Sequence, residues 1–246
     1  MTSHPGYNRS YYKSRDIHTA HAAATILGLI RPVYEQTAVM DLGCGVGTWA
    51  ATAEADGATS VVAVDGPWVE EAMLQVSAGA FRSCDLESHL PDVSGPIGLT
   101  IWAENAEHLT PQRGQMVHDW VCSVSDAVLF SAAVPEQGGT GHWNERWQSA
   151  WAADFAHHGF EAADIIRPAI WDDDRIPYWY RQNMILYYRP ERVASRLPAL
   201  MGSGHSAMLD LVHPAKWEST MFDGPGVRRS LMLLRRSLKN AIVKRL

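Results

Sequence analysis

Long apolar runs are missing from this chain, and so is any bridging set of cysteines. No stretch approaches the roughly 18 consecutive apolar residues of a membrane-spanning helix. The opening MTSHPGYNRSYYKSRD is too polar to read as a secretory signal. Cysteine occurs only as Cys44, Cys84 and Cys122, an odd number without metal-site spacing. The expectation is three free thiols in a reducing cytoplasm. There is no internal repeat and no linker that splits the chain. Acid is missing from one end: all 27 Asp and Glu lie at or before Asp223, whereas seven of the 21 Lys and Arg follow it. The first 225 residues therefore set 27 acids against 14 bases, a net of −13 hidden beneath the overall −6. A surface of that sign repels a phosphate backbone, so no nucleic-acid partner is expected.

What remains is a chain of 246 residues, 46% hydrophobic and 20% charged, enough to bury the core of one α/β domain. Short apolar runs at 37–42, 60–65, 79–83, 97–102 and 127–132 read as strands. Helical patterns at about 46–55, 67–77, 111–122 and 144–157 alternate with them, and two further strands are expected at 161–168 and 182–188. Apolar strands joined by crossover helices imply a mostly parallel sheet covered on both faces. Ahead of it, 16–30 reads as a covering or lid helix, with Ala20, Ala24, Leu27 and Ile30 on its buried side.

The segment VMDLGCGVGT carries the most chemistry. An apolar strand runs into an acid, Asp41, then into glycines at alternate positions, Gly43, Gly45 and Gly47, then into a helix. Glycines admit positive φ and let a ligand reach the backbone, and the helix start behind them supplies unpaired N–H groups. The spacing is not the GxGxxG of a dinucleotide turn, and an acid at the strand end repels a pyrophosphate while suiting a ligand that carries positive charge. Asp65, with Gly66 behind it, ends the second strand, and a carboxylate there can accept from two neighbouring hydroxyls. Asp85 and Leu86 follow the third strand, an acceptor and an apolar side chain that suit the amino group and face of a ring. Trp68 is placed to stack on the same ring or to pack locally.

Asp41, the glycine turn, Asp65 and Asp85 in this order resemble class I S-adenosylmethionine-dependent methyltransferases over about residues 36–132. The resemblance implies a Rossmann-like fold with a seven-stranded, mostly parallel sheet, S-adenosyl-L-methionine as cofactor, and ribose and adenine roles for Asp65 and Asp85. After the fourth strand, Glu104-Asn105-Ala106-Glu107-His108-Leu109 resembles the E-x-x-E-H-L segment of such enzymes, with Asn105 in a slot that is apolar in relatives. Glu104 is expected to face cofactor or acceptor, and His108 to brace the loop or act as a base. The stretches GGTGHWNERW and WDDDRIPYWYRQN resemble a bacterial subgroup tied to glycan or secondary-metabolite synthesis, extending the likeness to about residue 188.

Three glycines, Gly138, Gly139 and Gly141, precede His142, the leading candidate for a general base, with His108 and Glu104 behind it. Trp143, Trp147, Trp171, Tyr178, Trp179 and Arg181 are candidate contacts for a small-molecule acceptor, with Arg146 beside them. Asp172, Asp173 and Asp174 read as a solvated turn, and no metal site is expected. The favoured activity is methylation of a saccharide or metabolite hydroxyl. Methylation of an amine, carbon or peptide carboxylate is the alternative, followed by NAD-dependent oxidoreduction or a non-catalytic binding module. No G-x-S-x-G elbow supports a hydrolase.

Residues 1–190 are expected to form the methyltransferase domain, with 1–35 as its cap, and 191–246 an extension. There Val227, Leu231, Leu234, Leu238 and Ile242 recur at three- and four-residue spacing among Arg228, Arg229, Arg235, Arg236, Lys239 and Arg245. Such a basic amphipathic helix docks on the acidic body, on a second subunit as in a homodimer, or on an anionic membrane surface, the last being the less favoured.

Overall fold

In a computed structural model, seven strands join into one sheet. They are β1 (Ala38–Leu42), β2 (Ser60–Asp65), β3 (Phe81–Ser83), β4 (Ile97–Ala103), β5 (Ser125–Ser131), β6 (Glu161–Ala163) and β7 (Ile185–Tyr188). Their order is β3-β2-β1-β4-β5-β7-β6. The first five run parallel, and β7 pairs antiparallel with both β5 and β6. This is the Rossmann-like, mostly parallel sheet that the sequence predicts. The structure describes residues 9–77, 79–93, 95–196, 209–222, Ser230 and Leu234.

Alternation along each strand builds two cores. Val39, Ala63, Leu99, Ile101 and Leu129 face one side, under helices α1 (Arg9–Tyr34) and α2 (Thr48–Ala55). Met40, Leu42, Val64, Trp102 and Phe130 face the other, under α3 (Pro111–Val124) and α4 (Gln148–His157). Both faces are dry because crossover helices cover both, which is why the strands carry few polar residues. The order reverses between β1 and β4, so the crevice for a ligand opens at the carboxyl ends of those strands.

Several elements differ from their predicted extents. The buried side of α1 is Ala22, Ala23, Ile26, Leu27, Ile30, Val33 and Tyr34, whereas Ala20 and Ala24 are exposed. The helix predicted at 67–77 is absent, and only Glu71–Met73 forms a 3-10 turn. Val69 N–H closes a local turn on Gly66 O at 3.2 Å, and Gln75 N–H is drawn to the glycine loop, donating to Val46 O at 2.8 Å. The strand predicted at 161–168 stops at Ala163, because Asp164 turns back to pair with Arg167 in α5 (Ile166–Ile170). Likewise 178–183 forms α6 (Tyr178–Asn183) behind Pro177, a residue suited to a helix start, before β7 begins. Helix α4 begins at Gln148 and not at Asn144, since the preceding amides bond to other segments.

After α7 (Pro190–Val193), the described chain resumes at Leu209 and is strapped to α4 and α5. Ser149 donates to Asp210, and Arg167 to the Leu209 carbonyl at 2.7 Å. The chain divides into a unit of Met1–Leu211 and one of Val212–Leu246, in which α8 (Pro214–Phe222) is described. Most of the basic stripe at 227–245 lies outside the described residues; Ser230 and Leu234 are helical. Among the described residues no helix is long and apolar enough to cross a membrane.

Candidate functional site

Strand β1 ends in a loop whose three glycines, Gly43, Gly45 and Gly47, all have positive φ, at 75°, 55° and 82°. Side chains are also excluded by space. A Cβ on Gly43 would stand 2.4 Å from the Asn105 side chain, and one on Gly47 2.7 Å from Val76 Cγ1. Asn105 is therefore not a misfit in its segment. It lies over Gly43 and accepts from Trp102 Nε1 at 3.0 Å.

Asp41 is buried, and its Oδ2 accepts the Ala50 N–H at 3.1 Å. It thus caps α2 from the strand, a job Gly47, the residue before the helix, has no side chain to do. Burial pushes its carboxyl up to about 7, against the Ala50 hydrogen bond and with help from the Asp65 charge. Asp65 closes the loop: its Oδ2 accepts from Gly45 N–H at 2.7 Å and its Oδ1 from Gly66 N–H at 2.6 Å. Burial raises this carboxyl too, opposed by those amides and by a hydrogen bond from Trp68. The Trp68 indole folds over Gly66, where a Cβ would meet the ring at 2.1 Å.

Asp85 accepts from Glu87 N–H at 3.0 Å and from Ser88 Oγ at 3.0 Å, so it organises its own turn. Leu86 is buried in the same core as Met40, Leu42 and Val64.

The second cluster lies at the ends of β4 and β5. Glu104 has φ of 49°, a left-handed backbone uncommon for glutamate. Its carboxylate accepts from Gln137 Nε2 at 3.3 Å and Asn183 Nδ2 at 3.2 Å. Those two amides belong to a buried network in which Gln182 also donates to Gln137 Oε1 at 2.9 Å. Burial raises the Glu104 carboxyl, opposed by hydrogen bonds from Asn183 and Ser131. Burial raises Glu107 well above the usual carboxylate range, and the neighbouring Glu104 charge adds to it.

The glycine-rich loop after β5 is pinned. Trp143 and Asn144 N–H groups both donate to the Glu107 carbonyl, at 2.8 and 3.1 Å. Glu145 accepts from Glu136 N–H at 2.8 Å, Gly138 N–H at 3.1 Å and His142 Nδ1 at 3.0 Å. A carboxylate only accepts here, so Nδ1 carries the proton and Nε2 presents the lone pair. Burial pushes Glu145 up, but these donors hold it below the ordinary glutamate value. The His142 and His108 rings meet edge to face, with centroids 4.8 Å apart. No local sequence pattern marks Glu145, Gln137 or Asn183 as site residues. The one available signal is that GGTGHWNE and YRQN put polar side chains beside strand ends.

The aromatic candidates divide. Trp143 and Trp147 are exposed, while Trp171, Tyr178 and Trp179 are half-buried, with Trp179 against the core. Arg181 is buried and donates to the Trp171 carbonyl at 3.1 Å. Arg146 pairs with Asp154 at 2.8 Å and lies 4.2 Å over the Trp151 ring. Asp173 pairs with Arg175 at 2.8 Å and His21 at 3.1 Å.

Sheet order and glycine loop together define a Rossmann-like fold of the class I methyltransferase type. The chain is similar to the Synechocystis PCC 6803 magnesium protoporphyrin IX methyltransferase solved with S-adenosylhomocysteine. Identity is 16%, with 74% of this chain and 88% of that one covered, at a TM-score of 0.52. The same protein with S-adenosylmethionine matches at 17% identity, 74% and 84% coverage and a TM-score of 0.52. A Haloferax volcanii protein solved in complex with a methyltransferase activator matches at 16%, 74% and 93%, with a TM-score of 0.53. Comparison with protein-family profiles and with curated proteins returns no match.

Proposed function

We propose that this chain is an S-adenosylmethionine-dependent methyltransferase acting on a small-molecule hydroxyl, of a saccharide or secondary metabolite. The observation that carries this reading is the closure of the glycine loop by Asp65 at the switch point of the sheet. The loop fits the cofactor: its three left-handed glycines keep side chains away from the crevice, and an acid stands at each adjoining strand end. Gly43, Gly45 and Gly47 would line the cofactor's path. Asp65 and Gly66 would hold the ribose, Trp68, Asp85 and Leu86 would frame the adenine, and Asp41 would set negative charge beneath the cationic end. When bound, S-adenosylmethionine supplies a methyl group on a positively charged sulfur.

The chain's own work is to orient the acceptor and remove its proton. Glu145 fixes the His142 tautomer with Nε2 free of hydrogen, the form a base needs. Glu104 is held by Gln137 and Asn183 facing the same region, and the aromatic side chains from Trp143 to Trp179 suit a sugar or a flat ring. On this reading residues 1–190 carry the catalysis and 191–246 are an extension to it.

Calorimetric titration with S-adenosylhomocysteine and, separately, NADH tests the cofactor. Binding of the first alone supports the reading, and binding of the second alone sinks it. Incubation of a cell extract with methyl-labelled cofactor then identifies the acceptor from the labelled product. Label on nitrogen or carbon overturns the hydroxyl assignment.

A further inference from the structure

We propose that Glu107, His108 and His142 form a site for one divalent first-row transition-metal ion, placed to hold the acceptor's oxygen. The role given to the ion rests on the methyl-transfer reading; the site itself does not.

One ligand atom from each of the three side chains lies within 4.8 Å of the others. Nitrogen and oxygen donors sit about 2.1 Å from such an ion, so small side-chain rotations bring all three to it. The carboxylate carries the second, independent observation. Glu107 is 1% exposed, and its Oε2 is a buried acceptor without a hydrogen-bond partner. Buried polar atoms are rarely left so, and an ion satisfies this one.

The surroundings are built as an ion site requires. Glu145 takes the Nδ1 proton of His142, the carboxylate–imidazole arrangement that orients a ligating histidine and strengthens its other nitrogen. A side chain on Gly139 would collide with the imidazole, since a Cβ there would stand 2.2 Å from His142 Nε2. The backbone joins the ligand-bearing segments directly, through the two amides on the Glu107 carbonyl. The Glu104 charge, which the Glu107 carboxyl feels, adds to the negative potential beside a cation.

Two imidazoles and one carboxylate favour zinc, manganese, iron or cobalt over calcium, which takes oxygen ligands. Three protein ligands also leave positions open for an acceptor oxygen. A hydroxyl coordinated there gives its proton to water more readily. In the loaded enzyme His142 is then a ligand, and its lone pair no longer serves as the base.

Nothing in the sequence spacing marks this set, because Glu107 and His108 are adjacent while His142 arrives from the next strand's loop. The test is titration of the chelator-stripped full chain with cobalt(II), read by visible absorption. One equivalent should bind with bands that report nitrogen and oxygen ligands. Glu107→Gln, His108→Ala and His142→Ala should each weaken binding by at least about 100-fold, and Glu145→Gln by about 10–100-fold, the scale of an outer-shell partner. Cobalt bound no more tightly by the native chain than by Glu107→Gln overturns the site. Because that variant is neutral and isosteric, it decides the matter even where a histidine variant misfolds. S-adenosylhomocysteine affinity on the same samples separates the failures. A chain that takes cobalt but not S-adenosylhomocysteine keeps the ion site and loses the methyl-transfer reading. One that takes S-adenosylhomocysteine and no cobalt loses the ion site alone.

Discussion

Asp65 Oδ2 accepts a hydrogen bond from the Gly45 amide at 2.7 Å, so the acid ending β2 holds the glycine loop that follows β1. The same carboxylate is the proposed ribose ligand, which couples loop shape to cofactor affinity. Hydrogen bonds to a charged group contribute about 1.5–3 kcal/mol each. Asp65→Ala is therefore expected to weaken S-adenosylhomocysteine binding by about 10–1,000-fold in calorimetry. Affinity within twofold of the native chain would remove Asp65 from the site.

Gly47 stands just before α2 with φ of 82°, and Val76 Cγ1 would lie 2.7 Å from a Cβ there. A non-glycine residue in that region costs about 1–3 kcal/mol before any clash is counted. Gly47→Ala should lower the free energy of unfolding by that much, as measured by urea denaturation. Adding Val76→Ala should recover only the steric part. Full recovery by the double variant would mean that φ is not the constraint.

These two sites show where the sequence was informative and where it was not. The strands, the glycine turn and the acids at strand ends follow from local pattern: alternation, backbone permission, a carboxylate after an apolar run. Other features depend on contacts that no local pattern announces. The stretch at 67–77 forms only a 3-10 turn at Glu71–Met73, and beyond it the Gln75 amide goes to Val46 in the glycine loop. Glu145 looks like one more surface acid until the loop folds three donors onto it. Asp85 also accepts from Glu87 and Ser88 in its own turn, which its position after a strand does not announce. Asn105 breaks an apolar slot locally and is explained by Trp102 and Gly43 in space.

Asp41 links stability to pH. Burial raises its folded value to about 7, above the roughly 3.9 of an exposed aspartate. Between those values the native state holds a proton that the unfolded chain has lost, so stability falls as pH rises through the window. At about 1.4 kcal/mol per unit, two units of that window correspond to roughly 3 kcal/mol. Asp41→Asn keeps an acceptor for the Ala50 N–H and does not titrate. Its unfolding free energy, measured without cofactor at pH 5 and pH 7, should fall less than that of the native chain. An equal fall in both would show that Asp41 is not the group responsible.

His142 and Glu145 act as a pair through a 3.0 Å contact. Losing Glu145 frees the Nδ1 proton and lets the ring take the other tautomer, placing hydrogen where a lone pair is needed. Glu145→Gln should lower kcat for a hydroxyl acceptor by about 10–100-fold and leave the S-adenosylhomocysteine dissociation constant near native. His142→Ala should abolish turnover with the same retained affinity. Unchanged turnover in His142→Ala would exclude the histidine from both of its proposed roles.

The buried pair of Arg167 and Asp164 supports this site from behind. Two contacts, at 2.7 and 2.6 Å, bind the guanidinium to the carboxylate, and the arginine is 1% exposed. The remaining nitrogen donates to the Gln182 and Leu209 carbonyls at 3.3 and 2.7 Å. Gln182 in turn donates to Gln137, which holds Glu104. Removing the acid leaves a buried cation without its partner, and such a break costs about 3–5 kcal/mol. Asp164→Ala should therefore destabilise the chain by that amount. Replacing both members with leucine should cost less than the single change, because no charge is stranded. Urea denaturation of the two variants decides this. A double variant as unstable as Asp164→Ala would show that the pair's value lies in the bonds to Gln182 and Leu209 and not in its charge balance.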